Sequence, residues 1–164
     1  MKNLAVVRLF VGLFILLFAT GAYAQDKGIK ALPPVTVTTS ANVSKKVLAS
    51  FQSSFKDAVS PIWYRLNKDY LVEFIVGDMK NRALYQKNGA IVYQISYGHE
   101  NNLPKEVRRL VKSNYVDFNI VQAINVQEDE RNIWVVNLED SDKFIIVRVE
   151  DDALEEVSNL DRSR

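Results

Sequence analysis

The chain has no cysteine, which excludes a disulfide scaffold, a thiolate zinc site and a cysteine nucleophile together. It has one histidine, His99. A Ser-His-Asp triad has only that residue to be built around, and a multi-histidine metal site cannot be built. Neither charge is in excess: 21 basic residues stand against 20 acidic ones. A nucleic-acid binder normally shows a basic stripe that displaces counterions, and a strong binder of anionic membranes needs clustered basic residues. The balance argues against both. Long apolar runs are missing too. Leu9 to Ala19 spans about 11 residues, where a membrane helix needs about 20.

That short run belongs to an address. Lys2 and Arg8 form a basic n-region, Leu9–Ala19 an apolar h-region, and Ala22-Tyr23-Ala24 a small-residue cleavage site. Residues 1–24 therefore read as a secretory signal peptide cut before Gln25. The competing reading, an uncleaved anchor, needs a longer apolar stretch. Cleavage lowers the basic count from 21 to 19 against 20 acidic residues, a net charge of −1. The expected location is periplasmic or secreted, with no stable membrane span after cleavage. Residues 25–43 follow as a flexible tether. Pro33-Pro34 and the polar, β-branched run after them show no helical stripe.

The mature domain is expected over 44–158. Apolar content of 48% with 25% charged residues suits a packed core and a wet surface. Ser44 is a good N-cap, and Val47, Leu48, Phe51 and Phe55 make a stripe at helical spacing. A helix is expected from Ser44 to about Asp57, ended by Pro61. Four strands follow, at 62–66, 70–76, 82–87 and 90–97. In the second, Tyr70, Val72, Phe74 and Val76 share a face. Asn88-Gly89 predicts a type I′ turn between the last two, since Asn-Gly tolerates positive φ at both central positions. Leu103, Val107, Leu110 and Val111 then mark a second helix with Pro104 in its first turn. Strands are expected at 118–126, 133–138, 144–149 and 153–157, and a frayed tail from Ser158.

The order of helix then strands, twice over, reads as an internal repeat with half-repeats at about 44–98 and 99–158. Tyr70-Leu71-Val72-Glu73-Phe74 lies over Trp134-Val135-Val136-Asn137-Leu138 at that offset. Each half is too small to bury much surface alone. The two are therefore expected to share one sheet and one core.

Several of these segments, taken in order, resemble a known family. They are Phe51 and Phe55, Ala58-Val59-Ser60-Pro61-Ile62-Trp63, Tyr70-Leu71-Val72-Glu73-Phe74, Lys87-Asn88-Gly89, Leu103-Pro104-Lys105-Glu106-Val107, and Tyr115. The pattern over about 47–157 resembles the PepSY-like, β-lactamase-inhibitor-like periplasmic proteins of Bacteroidota. The resemblance implies an α+β fold of tandem helix-plus-antiparallel-sheet repeats, with the helices on one face of the sheet. It implies no activity, since one fold hosts many functions, and no inhibitory residue carries over.

Candidate sites are few. His99 beside Glu100 invites an acid–base or metal reading, but a general acid–base pair needs a shaped pocket and an orienting group, and a polar loop offers neither. The acidic turns at 128–130, 139–142 and 150–152 lack the spacing and glycine of a calcium loop and read as solvated hairpin turns. Lys105, Arg108, Arg109 and Lys112 read as the wet side of the second helix. No catalytic residue, metal site or cofactor is therefore expected. The strands themselves are more informative. A sheet covered on one face leaves the other to water, and alternation puts Leu71, Glu73 and Ile75 opposite Tyr70, Val72 and Phe74. Trp63 and Tyr64 likewise part to opposite faces. Tyr64, Leu71, Glu73 and Ile75 are the candidate binding residues on the open face. The expected function is a non-catalytic binding module, inhibitor-like, whose partner is a protein or peptide of the periplasm. A small-ligand carrier or an envelope structural protein is the alternative.

Overall fold

The computed structural model describes residues 37–39 and 42–162. The segment read as a leader, most of the tether and the last two residues lie outside them. Helix α1 (Lys45–Ser54) begins where Ser44 caps it, the Ser44 Oγ accepting from the Val47 amide at 3.3 Å. The same hydroxyl donates to the Lys87 carbonyl at 3.3 Å and fastens the helix to a hairpin. Helix α2 (Lys105–Asn114) follows Pro104, which has no N–H to leave unpaired. A single 3-10 turn, Glu100–Asn102, precedes it. Neither ten-residue helix is long and apolar enough to cross a membrane, nor is any other among the described residues.

The rest is strand: β1 (Val37–Thr39), β2 (Val59–Leu66), β3 (Asp69–Val76), β4 (Met79–Tyr85), β5 (Ile91–Gly98), β6 (Asn119–Glu128), β7 (Arg131–Glu139), β8 (Lys143–Glu150) and β9 (Ala153–Asp161). They form one sheet in chain order, antiparallel throughout. This overturns the expected tandem helix-plus-sheet repeats. Tyr93–Gly98 of β5 pair with Ala123–Glu128 of β6 in an unbroken ladder, so the expected single shared sheet is present, but without separate helix-plus-sheet units. The chain is mainly one antiparallel sheet carrying two short helices. The reason is physical: β5 and β6 both have unpaired edges, and pairing them satisfies every ladder group that two separate sheets would leave open.

The expected single core is also replaced by two clusters. Val47 and Phe51 of α1 pack on Tyr70, Val72, Phe74, Ala83 and Tyr85. Leu103 and Val111, with Val107 and Leu110 beside them, pack on Ala123, Val136, Leu138, Ile145, Val147 and Val149. Each full burial of such a side chain is worth about 1.5–3 kcal/mol. Phe51 anchors the first cluster with ring centroids 5.3 Å from Trp63 and 5.0 Å from Phe74, both edge-on. Strand register puts both clusters on the same face. Between them runs a polar seam of Asn81, Ser96 and Asn125, all buried. Ser96 donates to Asn81 Oδ1 at 2.6 Å and accepts from Gln94 at 3.1 Å. Asn125 donates to Asn132 at 2.6 Å and accepts from Gln127 at 3.0 Å.

Smaller differences have local causes. Strand β2 starts at Val59, before the expected Ile62, because a bulge absorbs Ser60 and Pro61. Strand β9 runs to Asp161, so residues 158–161 are paired and not a frayed tail. The tether contributes β1, paired to Tyr64–Leu66 at the sheet edge. Only Gly89 of the Asn88-Gly89 pair has positive φ (+95°). Its amide bonds the Gln86 carbonyl while the Gln86 amide bonds Ala90, a three-residue loop in place of the expected type I′ turn. Two successive positive φ values occur instead at Asp151 and Asp152, between β8 and β9.

Candidate functional site

All the buried core side chains of the strands project toward the helices. The opposite face of the sheet carries none. Its rows are fixed by register: Tyr64 lies against Leu71, Leu71 against Leu84, and Leu84 against Tyr93. The next row runs Glu73, Arg82, Ile95, Val126 and Ile133. The third runs Ile75, Lys80, Tyr97, Ile124, Val135, Arg148 and Glu155. No described element covers these rows. Their apolar members are half-buried by one another, and Ile75 is 37% exposed.

The four candidates, Tyr64, Leu71, Glu73 and Ile75, come together on this face as alternation places them. Tyr64 donates to Glu73 at 3.5 Å, and Glu73 accepts from Arg82 Nε at 2.8 Å. The Arg82 guanidinium lies over the Tyr97 ring at 6.0 Å. Trp63 turns the other way, into the aromatic cluster under α1. Farther along, Arg131 holds Glu150 through two bonds of 2.7 and 3.0 Å, and Arg148 pairs with Glu155 at 2.8 Å. The Arg131 guanidinium holds the Glu150 carboxyl below its ordinary range.

At the end of the face where β3 turns into β4, the surface sinks into a groove of about 590 Å³. Ile62, Ile75, Lys80, Arg82, Tyr97 and Gln122 are among its lining residues, with Glu73 between them. Sequence reasoning found Glu73 and Ile75 here and missed the rest. Lys80 and Arg82 sit among polar residues near a turn, where no pattern separates a lining cation from a solvated one. The available signal was Ser60-Pro61 inside an apolar run, which marks a bulge or an edge.

His99 and Glu100 do not form a dyad. Glu100 faces α2 and binds Arg108 at 2.8 Å, with Lys112 at 3.9 Å. His99 is exposed, its amide donating to Asn102 Oδ1 at 2.7 Å. Asn102 and Asn101 also donate to Asp78, in the turn between β3 and β4, and hold its carboxyl below the usual range. In the turn at 139–142, Asp140 Oδ1 accepts from the amides of Asp142 and Lys143, so it serves its own backbone. Among the described residues no group of three or more carboxylates and histidines is placed to hold a metal ion.

No family model matches the chain, and no curated protein sequence does. Solved structures with the same fold exist. A BLIP-like protein from Bacteroides fragilis superposes with a TM-score of 0.57 at 15% identity, over 76% of this chain and 94% of that one. A DUF2874 family protein from Bacteroides ovatus gives 0.55 at 12% identity, over 74% and 89%. A chain from Bacteroides eggerthii, described provisionally as periplasmic, gives 0.53 at 13% identity, over 73% and 89%. The chain therefore has the β-lactamase-inhibitor-protein-like fold. The PepSY part of the sequence resemblance finds no counterpart among these structures.

Proposed function

We propose that the protein is a non-catalytic binding module of the periplasm that docks a protein partner on the helix-free face of its sheet. The observation that carries the reading is that face itself. Eight strands at about 4.8 Å spacing, each about eight residues long, give a footprint of roughly 900 Å². A standard protein–protein interface buries about 800 Å² on each side. The face has an apolar middle, with Leu71, Leu84, Ile95 and Val126, and its charges are largely spent on one another in the Glu73–Arg82, Glu150–Arg131 and Glu155–Arg148 pairs. An apolar centre within a polar margin is the usual anatomy of a recognition surface. Location in the periplasm rests on the leader read at residues 1–24 and agrees with the description of one solved structure of the same fold. Binding in place of catalysis is supported by Glu100, which is committed to Arg108 and is not paired with His99.

The test is site-specific photocrosslinking in the cells that make the protein. A photoreactive residue at Leu71 should give a discrete protein adduct, and one at Arg109, on the exposed side of α2, should give none. Equal labelling from both positions, or none from Leu71, overturns the reading.

A further inference from the structure

On the uncovered face, the groove is shaped for a particular guest. Two β-bulges flank it. On β2 the register shifts between Val59 and Ile62, with Ser60 at φ +54°; on β6 it shifts between Ile120 and Gln122. Each bulge adds local twist, so the sheet curls here into a hollow, where a regular ladder would stay open. Positive φ at a serine is strained, and it persists only where the surroundings impose it. On its outer side β2 is bare from Val59 to Trp63 among the described residues, because β1 pairs only with Tyr64–Leu66.

The chemistry of the hollow is one-sided. Ile75, Tyr97 and the 52%-exposed Ile62 present apolar surface. The Glu73 carboxylate is taken by Arg82 and Tyr64. Lys80 lies between Ile75 and Tyr97 in the ladder and has no acidic partner among the described residues. The lining therefore keeps one positive charge that nothing in it neutralises. A basic guest would bring like charge against Lys80 and Arg82, and a wholly apolar one would leave the ammonium covered without a counter-charge.

We propose that the groove seats an acidic peptide segment of the protein partner: one large apolar side chain against Ile62, Ile75 and Tyr97, and a neighbouring carboxylate on Lys80. This rests on the docking reading above and adds to it the place and the chemistry of the contact. A volume of about 590 Å³ suits a side chain with its flanking backbone, being within the range of about 300–1,000 Å³ seen for ligand sites.

Panning a phage-displayed library of random twelve-residue peptides against the whole protein tests it. Enriched peptides should carry an aromatic or branched aliphatic residue beside Asp or Glu. They should bind Lys80→Glu at least fivefold more weakly, and panning on that variant should enrich basic residues in place of acidic ones. Ile75→Glu is the second variant, expected to abolish capture, with circular dichroism showing both variants folded. Enrichment with no acidic preference, binding indifferent to Lys80→Glu, or no enrichment at all overturns the proposal. So does a concentration-dependent dimer in sedimentation that Lys80→Glu dissociates, since the guest would then be a second copy of the chain. A Leu71 crosslink that survives alongside failed panning sinks this inference and spares the docking reading. Loss of that crosslink sinks both.

Discussion

Tyr85 carries the clearest single-residue tension in the described structure. Its side chain is fully buried, and its hydroxyl makes no hydrogen bond of ordinary geometry. Burial pushes the phenol up to about 12, with the nearby Ser54 hydroxyl offsetting only part of the effect. An unsatisfied buried hydroxyl costs about 1–3 kcal/mol. Tyr85→Phe is therefore expected to raise stability by about 1 kcal/mol in urea denaturation at neutral pH. The sign with pH follows from the raised value. The folded state holds the phenolic proton more tightly than the unfolded chain does, so this contribution is intact below about pH 10 and is lost as pH rises toward 12. The wild-type protein should lose stability over that window by more than Tyr85→Phe does, which a pH series of denaturation midpoints measures. The burial of Tyr85 was not legible in the sequence. It stands at the end of the Arg-Ala-Leu-Tyr run of β4, and only the pairing with Tyr70 shows which face it joins.

Among the elements, the hairpin joining β4 and β5 shows how a turn positions a helix. Gly89 stands at φ +95°, and a Cβ there would come 3.0 Å from the Lys46 carbonyl in the first turn of α1. Gly77 also has positive φ (+60°), but a Cβ there meets nothing within 4 Å. Gly89→Ala should cost about 1–2 kcal/mol, more than Gly77→Ala, since backbone strain is common to both and the clash belongs to one. Comparing their thermal midpoints decides whether the hairpin bears on the helix. The elements themselves were largely readable. Ser44 as cap, the Val47–Phe51 stripe and the alternation of β3 are local patterns, and local patterns survive into the fold. The turn type at Asn88-Gly89 was not, because the loop closes between Gln86 and Ala90 and lies against α1, a contact that no local pattern carries. The start of β2 was not either, because Pro61 reads as a terminator in sequence and is accommodated in a bulge.

At the scale of the molecule, one sheet serves two cores, and the seam of Asn81, Ser96 and Asn125 lies where they meet. Such a seam is stable only while every member is paired. Ser96→Ala removes a donor from Asn81 and an acceptor from Gln94 in a buried site, and is expected to cost about 1–3 kcal/mol. Hydrogen exchange is the measurement to make. Faster exchange in β3 and β4 and also in β6 and β7 would show that the seam couples the cores, whereas loss confined to one side would show that they open independently.

The amino-acid sequence by itself determined the strand-rich character of the domain, most element positions, the split of Leu71, Glu73 and Ile75 from Tyr70, Val72 and Phe74, and the lack of any cysteine and of all but one histidine. All of these follow from residue type and spacing of two, three or four. Only the tertiary structure decided that the shared sheet carries two cores, that the bulges at Ser60-Pro61 and before Gln122 hollow one end of its free face, and that Lys80 lines this hollow. Those outcomes depend on which edges meet and in what register, and register is a property of paired strands that no single strand carries.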